Sequence, residues 1–128
     1  MTVRNLWTSL LKKLNLYRYQ AYIRGVFWFA FIGSYIAAVL PQDLAPVIGS
    51  FGDKTHHVLA FIILGILLRL AYEMKYRYAF LFLLMYGIFI EISQLFAINR
   101  SAEIMDVVAD LVGAVIGITL YTYFKKIT

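Results

Sequence analysis

Within the stretch from Tyr86 to Gly117, apolar enough in most of its length for a lipid bilayer, stand Glu91, Gln94, Arg100, Glu103, Asp106 and Asp110. A charge inside a lipid-spanning segment costs roughly 2.5–3.5 kcal/mol on insertion scales, so it is kept for a partner or a function. Asp53, Lys54 and His57 stand at the start of an earlier apolar run. These residue types allow three chemistries. A carboxylate such as Glu91 in a low-dielectric slot is destabilised as an anion, and beside His57, which exchanges a proton near neutral pH, it makes a general acid–base pair. Lys54 and Arg100 suit a phosphate. His57 and Glu91, with Asp106 or Asp110, can hold a metal, although no single helix carries ligand spacing such as H-E-x-x-H.

Each residue also has a plainer reading. Asp53 or Thr55 can N-cap a helix. Asp106 can cap the next helix or pair with Arg100, and Glu103 can be a solvated loop charge. His56 fits a membrane interface better than a ligand set. Glu91 and Gln94 can be polar glue between helices. The aromatic residues, among them Phe27, Trp28, Phe29, Phe31, Phe80 and Phe82, read as lipid-facing or packing residues and suggest no cofactor.

What must position these groups is a membrane bundle. The 128 residues are 62% hydrophobic and 15% charged, with mean hydropathy +0.78. A soluble domain is nearer half apolar and a quarter charged. There is no cysteine, which excludes thiol chemistry and thiolate ligation. A net charge of +5 would raise nucleic acid as a partner of a soluble chain. Here the basic residues sit at segment ends, so they signal topology, and the partner is the lipid bilayer.

The pattern predicts one all-α domain over residues 1–128, a four-span bundle preceded by an amphipathic interfacial helix. In residues 1–20, Val3, Leu6, Trp7, Leu10, Leu11 and Leu14 recur at helical spacing, opposite Arg4, Asn5, Thr8, Ser9, Lys12 and Lys13. That basic polar face suits an anionic leaflet with the helix lying flat on it, the alternative being docking on the chain's own bundle. The spans are about 22–40, 56–72, 78–97 and 104–124, each long enough to cross at 1.5 Å per residue. Pro41 stops the first, and Gly65, Gly113 and Gly117 offer close helix contacts. Four spans put both termini on one side. Ten of twelve Lys and Arg fall on that side, leaving only Lys54 and Arg100 opposite, so the termini are expected in the cytoplasm. Six of the seven acids lie in the other half. Glu91 lies about 9 Å below the end of its span. Asp106 and Asp110 share a face with Gly113 and Gly117, so the acidic stripe is expected to face protein and to meet Lys54, His57, Glu91 and Gln94 in one outward pocket.

With these residues laid out, the chain resembles the VanZ-like family of small bacterial membrane proteins. One part of the resemblance is Asp53-Lys54, His57, Phe61 and Leu64-Gly65. The other is Glu91-x-x-Gln94, Phe96, Arg100, Asp106 and the Gly113/Gly117 pair. Together they cover about residues 52–118, with the amphipathic start outside the match. The family commonly has Asn where this chain has Asp110, so the charge balance differs. The resemblance implies a bacterial cytoplasmic (inner) membrane protein with an envelope role. The founding member is associated with glycopeptide resistance, especially to teicoplanin.

Two classes of function follow. In the first, the pocket, formed by Asp53, Lys54, His57, Glu91, Gln94, Arg100, Asp106 and Asp110, binds an amphiphile: a lipid-linked cell-wall precursor or a lipoglycopeptide. In the second, a membrane enzyme acts on a lipid headgroup or lipid-linked sugar, with His57 and Glu91 as acid–base pair. A scaffold or small transporter subunit remains a third possibility; the inner half offers no counterpart pocket.

Overall fold

Nothing in residues 3–24 interrupts a helix: there is no proline or glycine among them. The computed structural model, which describes residues 2–41, 53–98 and 102–127, accordingly begins with one helix, α1, Val3–Val39. Thr2 caps it by accepting from the Asn5 N–H at 3.2 Å. Leu40 turns extended ahead of Pro41, whose ring disfavours the helical conformation in the residue before it. Three further helices follow: α2 Asp53–Tyr72, α3 Tyr76–Leu95 and α4 Ile104–Ile127. All four are long and apolar enough to cross a membrane. There is no strand among the described residues.

The expected spans coincide with α2, α3, α4 and the second half of α1 to within a few residues. The expected division between residues 1–20 and a span from 22 does not occur, because the helix runs unbroken through Gln20, Ala21 and Tyr22. The polarity of the surface changes there, but no residue breaks the backbone ladder. None of residues 3–19 is buried, so this segment does not dock on the bundle. At 1.5 Å per residue, α1 is about 55 Å long against a hydrocarbon core of about 30 Å.

The core is Ile23 and Phe27 of α1, Phe61, Leu64 and Leu68 of α2, Leu83, Tyr86 and Ile90 of α3, and Ala114 and Ile118 of α4. The closest packing is between α2 and α4. A Cβ at Gly113 would overlap the Val58 carbonyl oxygen, and one at Gly117 the Ile62 carbonyl oxygen. Gly65 answers from α2, where a Cβ would stand 3.2 Å from the Ala114 carbonyl oxygen. Backbones this close gain dispersion and Cα–H···O contacts, which replace the hydrophobic drive that lipid does not supply.

Among the described residues, α1 packs on α2 and α3 but not on α4. The Phe31 and Tyr86 rings stack at 4.0 Å between centroids, with Phe61 on Tyr86 at 5.6 Å. Polar bonds stitch the same seam. Ser34 and Tyr86 hydroxyls are 2.6 Å apart, and Tyr35 donates to Ser93 Oγ at 2.9 Å. At the end that bears the termini, Arg24 donates to the Ala71 carbonyl at 2.9 Å. Arg69 donates to the carbonyls of Met74 and Ile118, both at 3.2 Å, and to the Thr122 hydroxyl. Arg24 thus satisfies one open carbonyl at the C-terminus of α2, and Arg69 ties that end to the following turn and to α4. Glu73 makes the turn into α3 in the left-handed region, at φ 49°.

Candidate functional site

Three helix ends meet at the distal end of the bundle, opposite the termini. α2 brings Lys54 and His57 from its first turns, α3 brings Glu91 and Gln94 from its last, and α4 brings Asp106 and Asp110 from its first. Spacings of three or four residues put each pair on one helix face. The glycine seam decides where those faces point. With Gly113 and Gly117 against α2, Asp110 is carried onto His57, and His57 Nδ1 lies 2.7 Å from Asp110 Oδ1. Gly87 completes the slot from α3: a Cβ there would stand 3.1 Å from Asp110 Oδ2. Asp110 is 0% exposed, walled in by three helices.

The other contacts spread outward from this pair. His57 Nε2 is 4.0 Å from Asp106 Oδ2. Lys54 Nζ lies 2.7 Å from Glu103 Oε2 and 3.4 Å from Asp106 Oδ1. The Lys54–Glu103 pair is half-exposed and solvent-screened. The hydrogen bond from Lys54, with its charge, still holds the Glu103 carboxyl below the usual carboxylate range. Glu91 is 8% exposed, and its Oε2 accepts the backbone N–H of Glu103 at 2.9 Å. Gln94, fully enclosed, donates to the Ala38 carbonyl of α1 at 3.0 Å.

The balance of the cluster is acidic. Four carboxylates (Glu91, Glu103, Asp106 and Asp110) face one ammonium and one imidazole among the described residues. Among the described residues, four buried oxygens lack a hydrogen-bond partner: Glu91 Oε1, Gln94 Oε1, Asp106 Oδ1 and Asp110 Oδ2. Of these, Asp106 Oδ1 lies 3.4 Å from the Lys54 ammonium and is ion-paired with it. Buried acceptors without a donor are uncommon in folded proteins and mark a place where something else binds or where strain is kept. One ligand atom from each of His57, Glu91 and Asp110 lies within 4.8 Å of the other two, a spacing suited to a metal ion.

Lys54, His57, Glu91, Asp106 and Asp110 are therefore brought together as their spacing predicts. Their pairings differ. His57 meets Asp110, not Glu91, at hydrogen-bond distance, and Lys54 meets Glu103 and Asp106. Gln94 turns its amide N–H to α1. Arg100 and the Asp53 side chain lie outside the described residues. Glu103, which the sequence allows as a solvated loop charge, pairs with Lys54 and also gives Glu91 a backbone N–H that no side-chain pattern displays. Gly87 is absent from the sequence reading. Gly87 stands four residues before Glu91, a spacing that marks the same helix face and a close approach there.

The family model described as VanZ/LLP1 matches residues 2–125. The chain belongs to this family. The match takes in the two motif-bearing parts and also α1, with the amphipathic start that the motif resemblance left outside, and the chain is a multi-pass membrane protein. No curated protein and no solved structure matches this VanZ/LLP1 chain.

Proposed function

We propose that this VanZ/LLP1 protein binds the headgroup of an amphiphile at the distal end of its bundle, on the outer face of the bacterial cytoplasmic membrane. The observation that carries the reading is the set of buried carboxylate and amide oxygens that have no hydrogen-bond donor among the described residues. Such a site selects a headgroup rich in hydroxyl, amide or amine donors. Sugar- and peptide-bearing amphiphiles have that chemistry, whether a lipid-linked cell-wall precursor or a lipoglycopeptide antibiotic. An apolar groove of about 380 Å³ between α1 and α3 supports the amphiphile half of the reading. It is lined by Phe31, Phe82, Met85, Tyr86, Ile88, Phe89 and Ile92. The ten-to-two division of Lys and Arg supports an outward site with cytoplasmic termini. Sequestering such a ligand would change its access to the cell surface, a role consistent with glycopeptide tolerance.

The test is native mass spectrometry of the protein released from lipid nanodiscs, with a lipid-linked disaccharide–peptide precursor or teicoplanin added. The wild type is expected to retain one of them, and Glu91→Gln to lose it while remaining folded. Identical adducts on both proteins, or none on either, would sink the reading.

A second reading, an enzyme on the same headgroup, is favoured by one contact. Asp110 at 2.7 Å from His57 Nδ1 orients the ring as a carboxylate orients a general base. Release of a water-soluble product from a lipid-linked precursor by wild type, and not by His57→Gln, would select it.

A further inference from the structure

We propose that His57, Glu91 and Asp110 form a divalent-cation site. They come from α2, α3 and α4, and their ligand atoms already lie within 4.8 Å of one another. A metal about 2.0–2.2 Å from each ligand draws such atoms to roughly 3–4 Å apart, so side-chain rotation of about an ångström closes the site without moving a helix.

The oxygens without partners give the independent reason. Glu91 is 8% and Asp110 0% exposed, yet Glu91 Oε1 and Asp110 Oδ2 receive no hydrogen bond from the described residues. Buried charges are tolerated when they are paired or coordinate a metal. Among the described residues, the cations do not answer this charge. Lys54 is held at the half-exposed rim by Glu103 and Asp106. His57 contributes at most one positive charge against three buried carboxylates. A dication supplies what is missing.

The donor set narrows the choice of ion. One imidazole nitrogen with two carboxylate oxygens suits Zn²⁺ or Mn²⁺ better than the all-oxygen shells of Mg²⁺ and Ca²⁺. With Nδ1 on the metal, His57 Nε2 faces Asp106, the outer carboxylate that commonly fixes a ligating ring. Three protein ligands leave a position for an exogenous oxygen. That position is where the headgroup would bind, so the inference rests on the reading of this cluster as a ligand site and names the ion in it.

Zinc alone tests the site, with no amphiphile present. Full-length protein in nanodiscs is stripped with a chelator, and Zn²⁺ is titrated by calorimetry. One ion per chain is expected. Glu91→Gln and Asp110→Asn should each weaken it by more than about a hundredfold, since even an outer-sphere partner is worth 10–100-fold. Glu73→Gln, at the opposite end, should bind as wild type does. Should a variant fail to fold, X-ray absorption on zinc-loaded wild type still decides, with one imidazole and oxygen donors at about 2.0–2.2 Å expected. Absence of stoichiometric zinc, undiminished binding in both variants, or a spectrum without imidazole would each overturn the site. Amphiphile binding that survives chelation, with no stoichiometric zinc, overturns the metal and leaves the proposed function standing. Stoichiometric zinc with no amphiphile bound does the reverse.

Discussion

Gly117→Ala should destabilise the protein through a single methyl group, and Gly33→Ala provides the scale. Both substitutions replace glycine inside a helix, so both gain the same intrinsic term, about 0.5–1 kcal/mol in favour of alanine. At Gly33 a Cβ meets nothing within 4 Å, so that term stands alone. At Gly117 the Cβ would overlap the Ile62 carbonyl oxygen and touch Ile62 backbone carbons at 3.0 Å. A backbone carbonyl inside a helix has no rotamer with which to move away. α2 and α4 must separate along their tightest seam, and overpacking of this kind costs about 1–3 kcal/mol. Because the helix term is common to both, the two variants should differ by the overpacking alone, about 1–3 kcal/mol, roughly 5- to 150-fold in the unfolding equilibrium at tenfold per 1.4 kcal/mol. Reversible unfolding in mixed micelles of rising SDS fraction, followed by far-UV circular dichroism, reads the difference directly. Equal midpoints for Gly33→Ala and Gly117→Ala would refute the argument that the α2–α4 seam is closed by backbone contact. Gly113→Ala should behave like Gly117→Ala and, because it lies one turn below Asp110, should also disturb the His57–Asp110 contact.

Three further outcomes are expected. Glu73→Gly should raise the same unfolding midpoint, because a side chain in the left-handed region at φ 49° costs about 1–2 kcal/mol that glycine does not incur. Asp110→Leu should destabilise more than Asp110→Asn, since leucine removes the acceptor 2.7 Å from His57 Nδ1 while asparagine keeps an oxygen, and a hydrogen bond to a charged group is worth about 1.5–3 kcal/mol; chemical denaturation of both variants compares them. Single cysteines at Thr2 and Ala102 should label from opposite sides of the membrane in intact cells and lysed vesicles, with Ala102 outside; labelling of both from one side would contradict the four-span arrangement.

The apolar runs make α2, α3 and α4 legible because a lipid-spanning helix has nowhere to hide a polar face except against its neighbours. Gly65, Gly113 and Gly117 were legible for a related reason: small residues four apart on such helices leave room only for another backbone. The continuity of α1 was not legible. Its surface changes from basic and amphipathic to uniformly apolar near Tyr22, and a change of surface resembles a change of element. The backbone follows different rules, and residues 3–24 contain no breaker. Within the site, spacing along each helix placed Asp106 with Asp110 and Glu91 with Gln94. It did not set the rotation of one helix against another, which decides that His57 meets Asp110 and that Gln94 reaches Ala38. That rotation comes from Gly87 and the glycine seam, through distances no single helix encodes.

The continuity of α1 also has a mechanical meaning. An unbroken helix behaves as a rod that curves gently unless a breaker lets it hinge. Its free segment, residues 3–19, is in line with the turn whose Ala38 carbonyl receives Gln94. The rod rests on α2 and α3 and, among the described residues, does not touch α4, so its neighbours act as a fulcrum along only part of its length. A tilt of about 10° over the roughly 30 Å between membrane faces moves one end about 5 Å relative to the other. Torque on the segment beyond the bundle is therefore delivered to the Gln94 contact, three residues from Glu91.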